Sequence, residues 1–89
     1  MKKDIYQAIA DPTRRAILSL LVIKAMTPNA LAEHFDMTRQ GVSSHIKVLT
    51  ECELVRQVQL GREIYYSIEI KKMKEFDKWL NQFRKMWEN

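Results

Sequence analysis

The residues best suited to a chemical role lie in the middle of the chain, on one face of a predicted helix. At 100° per residue, Val42, Ile46 and Leu49 form an apolar stripe, and between residues 38 and 49 the opposite side contains no acid. That opposite side is formed by Gln40, Ser43, Ser44 and Lys47. Hydrogen-bonding and cationic groups without carboxylates are suited to base edges and phosphates in the DNA major groove. Residues 38–52 are therefore predicted to form a DNA-recognition helix.

The polar residues divide into two predicted roles. Base edges or nearby phosphates are assigned to Gln40, Ser43, Ser44 and Lys47, because glutamine pairs well with adenine and the others have suitable donors. Contacts that hold the DNA backbone without reading its sequence are assigned to Thr38, Arg39, Arg56 and Arg62. His45 lies between the apolar stripe and the polar face, so it is expected to bond to protein backbone or to a phosphate.

The spacing of the nucleophilic and metal-binding residues gives little support for an active site or a metal site. Ser44 and His45 are adjacent, and adjacent helical side chains point about 100° apart rather than toward each other. His45 and Cys52 are seven residues apart, about 10 Å along a helix, so they cannot ligate one ion. We therefore expect no enzyme activity, no metal and no cofactor. The chain's one cysteine favours a reducing cytosol, and its position near the negative end of a helix disfavours a reactive thiolate.

Capping signals divide the first half of the chain into four helices. Asp11-Pro12 and Thr27-Pro28 each pair an N-cap residue with a proline at the first helical position. The predicted helices are 3–10, 12–24, 28–35 and 38–52, with Thr38 as the last N-cap. Ile17, Leu20 and Leu21 are the expected inner stripe of the second helix. The third and fourth helices, joined by a short turn, form a helix-turn-helix pattern.

The hydrophobic period changes to two after Cys52. Residues 54–60 and 63–68 are predicted to be strands of a β-hairpin, with Gly61-Arg62 at the turn. The hairpin would form a wing beside the recognition helix. The fold class is thus mostly α with a small hairpin, in the order α-α-α-α-β-β-α, and residues 1–89 form a single domain.

The last segment, 71–88, has large apolar residues spaced three and four apart, as in a helix that pairs with another helix. A domain of 89 residues cannot cover them all, so residues 1–10 and 71–89 are predicted to form a homodimer. The interface is assigned to Ile5, Tyr6, Ile9, Phe76, Trp79, Leu80, Phe83 and Trp87. The net charge of +4 is consistent with a polyanionic partner, and the absence of a signal or membrane segment predicts a cytoplasmic protein.

With the elements placed, the sequence resembles the ArsR/SmtB family of bacterial winged-helix repressors. The matching segments are residues 8–18, 31–35, 38–49 and 61–67. The resemblance implies a dimer that binds a palindromic operator and represses transcription until an inducer releases it. Two departures stand out. Glu53 occupies a position where the family usually has glycine, and the cysteine and histidine ligands of the metal-sensing members are missing.

Two alternatives remain open from the sequence. One is a metal- or thiol-responsive regulator of the same family that uses Cys52. The other is a winged-helix module that binds a protein partner through the wing and the aromatic last helix, in which case operator-length DNA would not bind.

Overall fold

The computed structural model describes residues 4–88, and within them the chain forms helices and one hairpin in the predicted order. The helices are α1 (Ile5–Ile9), α2 (Pro12–Ile23), α3 (Pro28–Phe35), α4 (Arg39–Glu51) and α5 (Lys71–Arg84). The strands are β1 (Val55–Leu60) and β2 (Glu63–Ile68). The predicted fold class is confirmed. In the described part of the chain, every helix is too short or too polar to cross a membrane.

Side-chain caps fix where the helices begin. The carboxylates of Asp4 and Asp11 accept the backbone N–H groups of Gln7 and Arg14, each at 2.9 Å, and the side chain of Gln7 in turn accepts from the backbone of Asp4. This capping box starts α1 at Ile5 rather than at the predicted residue 3, which lies outside the described residues. The Asp-Pro and Thr-Pro starts of α2 and α3 are confirmed.

Helices α3 and α4 end in the same way. Asp36 and Glu53 have positive φ values of 53° and 59°, and the N–H of the following residue reaches back to the carbonyl five positions earlier. These are Schellman motifs, in which a left-handed residue lets the chain leave the helix sharply. Glycine has no Cβ to clash in this conformation, whereas Glu53 carries a strain on the order of 1 kcal/mol.

The core lies between α2, α3, α4 and the start of β1. Its largest fully buried side chains are Ile17, Leu31, Val42, Leu49 and Leu54. The predicted stripe of α4 is confirmed, since Val42, Ile46 and Leu49 are all buried. The predicted stripe of α2 was partly wrong. Leu18 is buried and Leu20 only partly so, because both sides of α2 meet neighbouring elements.

The hairpin pairs antiparallel from Val55–Ile68 at its base to Leu60–Glu63 at its tip, and Gly61 has the positive φ of the turn. An unpredicted bridge joins it to the link between α2 and α3. The N–H of Met26 donates to the carbonyl of Tyr66 at 3.1 Å, and the reverse bond is 2.8 Å. The wing is therefore fastened to the helical body, although a single bridging residue gives no periodic signal in the sequence.

Helix α5 ends earlier than predicted. It stops at Arg84, and the backbone N–H groups of Met86 and Trp87 bond three residues back in tight turns. The prediction of a helix to residue 88 was therefore wrong, and Trp87 does not continue the apolar stripe of α5. No residue of α5 is fully buried, although Met73 packs against the core.

Candidate nucleic-acid interface

The polar face of α4 is open to solvent. Gln40, Ser43, Ser44 and Lys47 are all exposed, while the opposite stripe of the same helix is buried. The hydroxyl of Ser44 donates to the carbonyl of Gln40 at 3.1 Å, so one of these groups already has a partner in the helix. The face projects amide, hydroxyl and ammonium groups from a rigid element, as direct reading of a groove requires.

The start of α4 is closely packed. The hydroxyl of Thr38 accepts the N–H of Gly41 at 3.0 Å, which caps the helix. A Cβ on Gly41 would lie 3.2 Å from that hydroxyl oxygen and 3.3 Å from the Cε of Met37. Glycine at this position therefore lets the capping turn approach the helix, and the exposed Arg39 and Gln40 follow directly.

A groove of about 400 Å³ separates α4 from the wing. It brings together two of the predicted DNA-binding cations, Arg39 from α4 and Arg62 from the turn of the hairpin. The other lining residues are Thr27, Pro28, Asn29, Ser43, Glu63, Ile64 and Tyr66. The N-terminal turn of α3 contributes Asn29, which the sequence did not single out because nothing local marks it as close to the wing.

Tyr66 and Ser43 also line an adjoining groove of about 300 Å³, together with Lys47 and Gln57. The amide of Gln57 donates to the hydroxyl of Tyr66 at 3.0 Å. Nothing in the sequence marks Tyr66 for a role beyond its strand, because only the folded hairpin turns it toward α4. The wing and α4 thus line two adjoining grooves that share Ser43 and Tyr66.

Two acids lie at the edges of these grooves, Glu63 of the wing and Glu51 in the last turn of α4. The carboxylate of Glu63 accepts a hydrogen bond of 3.0 Å from the hydroxyl of Tyr65. This hydrogen bond, and then the negative charge of Glu63, raise the pKa of Tyr65 above its usual value. Tyr65 and Glu63 both lie on β2. The acid-free character therefore belongs to Gln40, Ser43, Ser44 and Lys47, and not to the whole wing or to the last turn of α4.

Arg56 is separated from the other predicted cations. It lies at the base of the hairpin, paired with Ser67, and lines a different groove with Thr50, Glu53 and Lys72. Five residues of extended strand, about 16 Å, separate it from the Gly61 turn beside which Arg62 lies. The structure therefore joins Arg62 to the face of α4 and leaves Arg56 near the start of α5.

His45 points toward the body of the protein. Its Nδ1 lies 3.5 Å from Nη1 of Arg14 and 3.9 Å from a carboxylate oxygen of Asp11. The side chain of His45 is only 22% exposed, whereas the predicted base-contacting residues of α4 are all exposed. The sequence predicted a bond to protein backbone or to a phosphate, and in the structure the nearest polar groups given for its ring are two side chains. The Asp11 carboxylate and the Arg14 side chain are both on α2 or its cap.

Asp11 caps α2 in this same place. The hydrogen bond that the backbone N–H of Arg14 donates to the Asp11 carboxylate is the main cause that lowers the pKa of Asp11 below its ordinary value of 3.8. Partial burial opposes this shift, and the nearby His45 and Arg14 add to it. The carboxylate is thus matched to its surroundings in its charged form.

Cys52 is buried at the end of α4, where its thiol donates to the carbonyl of Asp4 at 3.3 Å. The thiol therefore joins the start of α1 to the end of α4. Among residues 4–88, no three histidine, cysteine or acidic side chains cluster closely enough to hold a metal ion.

An aromatic surface extends along α1 and α5. Ring centroids are 5.3 Å apart for Tyr6 and Trp79, 6.0 Å for Phe76 and Trp79, and 5.0 Å for Trp79 and Phe83. Tyr6 and Trp79 each remain 44% exposed. We call Tyr6, Phe76, Trp79 and Phe83 the aromatic face. Of the other predicted interface residues, Ile5 and Ile9 pack partly on the core, Leu80 is half-buried and Trp87 is exposed.

Comparison with known proteins places this arrangement among regulators. Residues 9–58 match a family described as a helix-turn-helix domain. The chain is 35% identical to the transcriptional repressor SdpR of Bacillus subtilis over 80 residues, which cover 90% of this chain and 89% of SdpR.

Solved structures agree on the fold. A crystal structure of an ArsR family transcriptional regulator is similar with a TM-score of 0.80 and 35% identity, covering 96% of this chain and 93% of that one. The homodimeric winged helix-turn-helix DNA-binding domain of a possible ArsR-family regulator from Mycobacterium bovis is similar with a TM-score of 0.70. It is 22% identical and covers 88% of this chain and 75% of that domain, so it supports the fold alone.

Proposed function

The chain belongs to the ArsR family of winged helix-turn-helix transcriptional regulators, and from that premise we propose that it is a cytoplasmic repressor that binds a palindromic operator as a homodimer. Its family consists of DNA-binding regulators and not of enzymes. The observation that carries the proposal is the exposed, acid-free group of Gln40, Ser43, Ser44 and Lys47 on α4, beside Arg62 of the wing.

The face of α4 is assigned to the major groove. Gln40, Ser43, Ser44 and Lys47 would read base edges or reach adjoining phosphates, and a good bidentate pair discriminates between bases by about 1–3 kcal/mol. Thr38, Arg39 and Arg62 would hold the backbone on either side of the groove. Arg56 lies near α5 in the structure, so we expect its contribution to be smaller.

Dimerisation is assigned to the aromatic face. A large aromatic side chain buries about 200 Å² when covered. Tyr6 and Trp79 are 44% exposed and Phe76 and Phe83 are less exposed, so the four rings leave roughly 250 Å² per protomer to bury. Two copies would contribute roughly 500 Å² from these rings, and the other residues of α1 and α5 would have to supply the rest of a stable interface of at least about 1,200 Å². The SdpR relative is named a repressor, and the Mycobacterium bovis domain is described as homodimeric. A two-fold dimer would place its α4 helices in half-sites about 10 bp apart.

The proposal is tested by selecting bound duplexes from a random-sequence pool and measuring their affinity for three variants. Gln40→Ala should weaken the selected duplex by about 5- to 150-fold and random DNA much less, because it removes a base contact. Arg62→Ala should weaken both equally and reduce the slope of log affinity against log salt concentration by about one. Arg56→Ala is the matched control. It should change the affinity for both kinds of DNA, and the salt dependence, less than Arg62→Ala does.

Equal losses from Gln40→Ala and Arg62→Ala on both kinds of DNA would contradict the assignment of roles. Failure of the wild-type protein to enrich any duplex, even at low salt, would contradict the proposed function itself and favour a protein-binding winged helix.

A further inference from the structure

Two arginines at the start of α2 cover the end of α1. The last four carbonyls of a helix have no partner within it, and α1 is only five residues long. Arg14 donates from Nε to the carbonyl of Ala8 at 2.7 Å and from Nη2 to that of Gln7 at 3.0 Å. Arg15 donates from Nη1 to the carbonyls of Ile9 and Ala10 at 2.7 and 3.2 Å. Together they take the carbonyls of residues 7–10.

Arg14 differs from Arg15 in one respect. Its remaining nitrogen, Nη1, lies 3.5 Å from Nδ1 of His45 on α4, and the two form a long hydrogen bond when Nδ1 is unprotonated. When Nδ1 is protonated, the Asp11 carboxylate, 3.9 Å from the same nitrogen, is its partner instead. One rigid guanidinium group therefore contacts both α1, which carries Tyr6 of the aromatic face, and α4, which carries the proposed DNA-reading residues.

We propose that Arg14 and His45 are positioning residues that fix the angle between α1 and α4, and thereby set the half-site spacing that the dimer accepts. The inference rests on the proposed function. In a two-fold dimer built on α1 and α5, each recognition helix is placed relative to the symmetry axis by its connection to these helices. A difference of one base pair moves a half-site by about 3.4 Å and rotates it by about 35°, so a small change in this angle is visible in the spacing preference.

The chain supplies matched variants for a test. Arg14→Lys keeps the charge but replaces the three guanidinium nitrogens with a single ammonium group. Arg15→Lys is its control because the hydrogen bonds of the Arg15 guanidinium run to the carbonyls of Ile9 and Ala10, at the same helix end. His45→Leu removes the acceptor. His45→Asn keeps an acceptor at nearly the position of Nδ1 and should restore the wild-type behaviour.

The measurement uses the duplex selected by the wild-type protein, with its half-sites moved one base pair closer together or further apart. Arg14→Lys and His45→Leu should each reduce the preference for the selected spacing by about two- to tenfold, and the double variant should lose little more than either one. Arg15→Lys and His45→Asn should keep the preference. Thermal unfolding and sedimentation of each variant establish that it is folded and dimeric.

The outcomes separate the possible roles. If the affinity losses of Arg14→Lys and His45→Leu add in the double variant and are equal at every spacing, His45 contacts DNA directly. That result would overturn the inference. An unchanged spacing preference in all four variants would also overturn it. Both outcomes require a wild-type protein that binds the selected duplex, so they are distinct from failure of the proposed function.

Discussion

Asp11 shows how much a single side chain does in this fold. It lies between α1 and α2, caps the start of α2, and has its carboxylate beside His45 of α4. Its sequence signature, an aspartate before a proline, predicted the cap alone. The neighbouring histidine is 34 positions away in the chain, and only folding brings the two together.

The lowered pKa of Asp11 predicts a pH-dependent contribution to stability. Because its folded-state pKa lies below the unfolded value of 3.8, its charge stabilises the fold above that pH, and the contribution is lost as pH falls through the folded-state pKa. Asp11→Asn removes the charge and keeps an acceptor. The difference in unfolding free energy between wild type and this variant should be constant near neutral pH and shrink below pH 3.8.

Chemical denaturation of both proteins from about pH 7 down to about pH 2.5 would measure this difference. A difference that stays constant across the whole range would show that the charge of Asp11 is no better accommodated in the folded protein than in the unfolded chain.

At the scale of elements, the end of α4 departs from what a helix end usually contains. Glu53 has a φ of 59° and an exposed side chain that pairs with Lys72 of α5 at 3.4 Å. The carboxylate of Glu75, and after it that of Glu53, raise the pKa of Lys72. An exposed pair of this kind contributes at most about 1 kcal/mol, which is comparable to the strain at Glu53.

The strain is measured by comparing glycine with alanine at two positions. Both Glu53→Gly and Glu53→Ala remove the ion pair, but only glycine relieves the left-handed backbone, so Glu53→Gly should be more stable by about 1 kcal/mol. At Lys47, an exposed residue inside α4, the order should reverse by up to about 1 kcal/mol, because glycine is the poorer helix former. Thermal or urea unfolding gives both differences, and the same order at both positions would argue against strain at Glu53.

At the scale of the whole molecule, the chain is elongated. It measures 48 × 30 × 25 Å with a radius of gyration of 14.3 Å, against about 12 Å for a compact domain of this length. The excess extent is consistent with α5 and its aromatic rings lying only partly against the rest of the chain. A second copy would cover that face and make the assembly more compact.

The dimer is tested at the centre of the aromatic face. Trp79→Glu places a charge where the proposed interface excludes water, and should weaken dimerisation by at least about 30-fold, which corresponds to about 2 kcal/mol. Affinity for a two-half-site duplex should fall with it. Asn81→Asp adds the same charge at an exposed position on the far side of α5 and should change neither. Sedimentation equilibrium gives the masses, and a wild-type protein that remains a monomer would refute the proposed assembly.

The sequence by itself determined the order of the elements, the caps of α2, α3 and α4, the apolar stripe of α4 and the turn of the hairpin. Each of these depends on residues within about five positions of one another, where backbone geometry limits what the chain can do. The polar face of α4 was predictable for the same reason, since it is the complement of a buried stripe.

The tertiary structure alone decided which distant groups meet. It joined Arg39 to Arg62 across one groove, placed Arg56 in another, turned His45 toward Arg14, and bridged Met26 to Tyr66. It also ended α5 before Trp87. Contacts between side chains tens of residues apart depend on how elements pack, and packing leaves no periodic or local signal in the sequence.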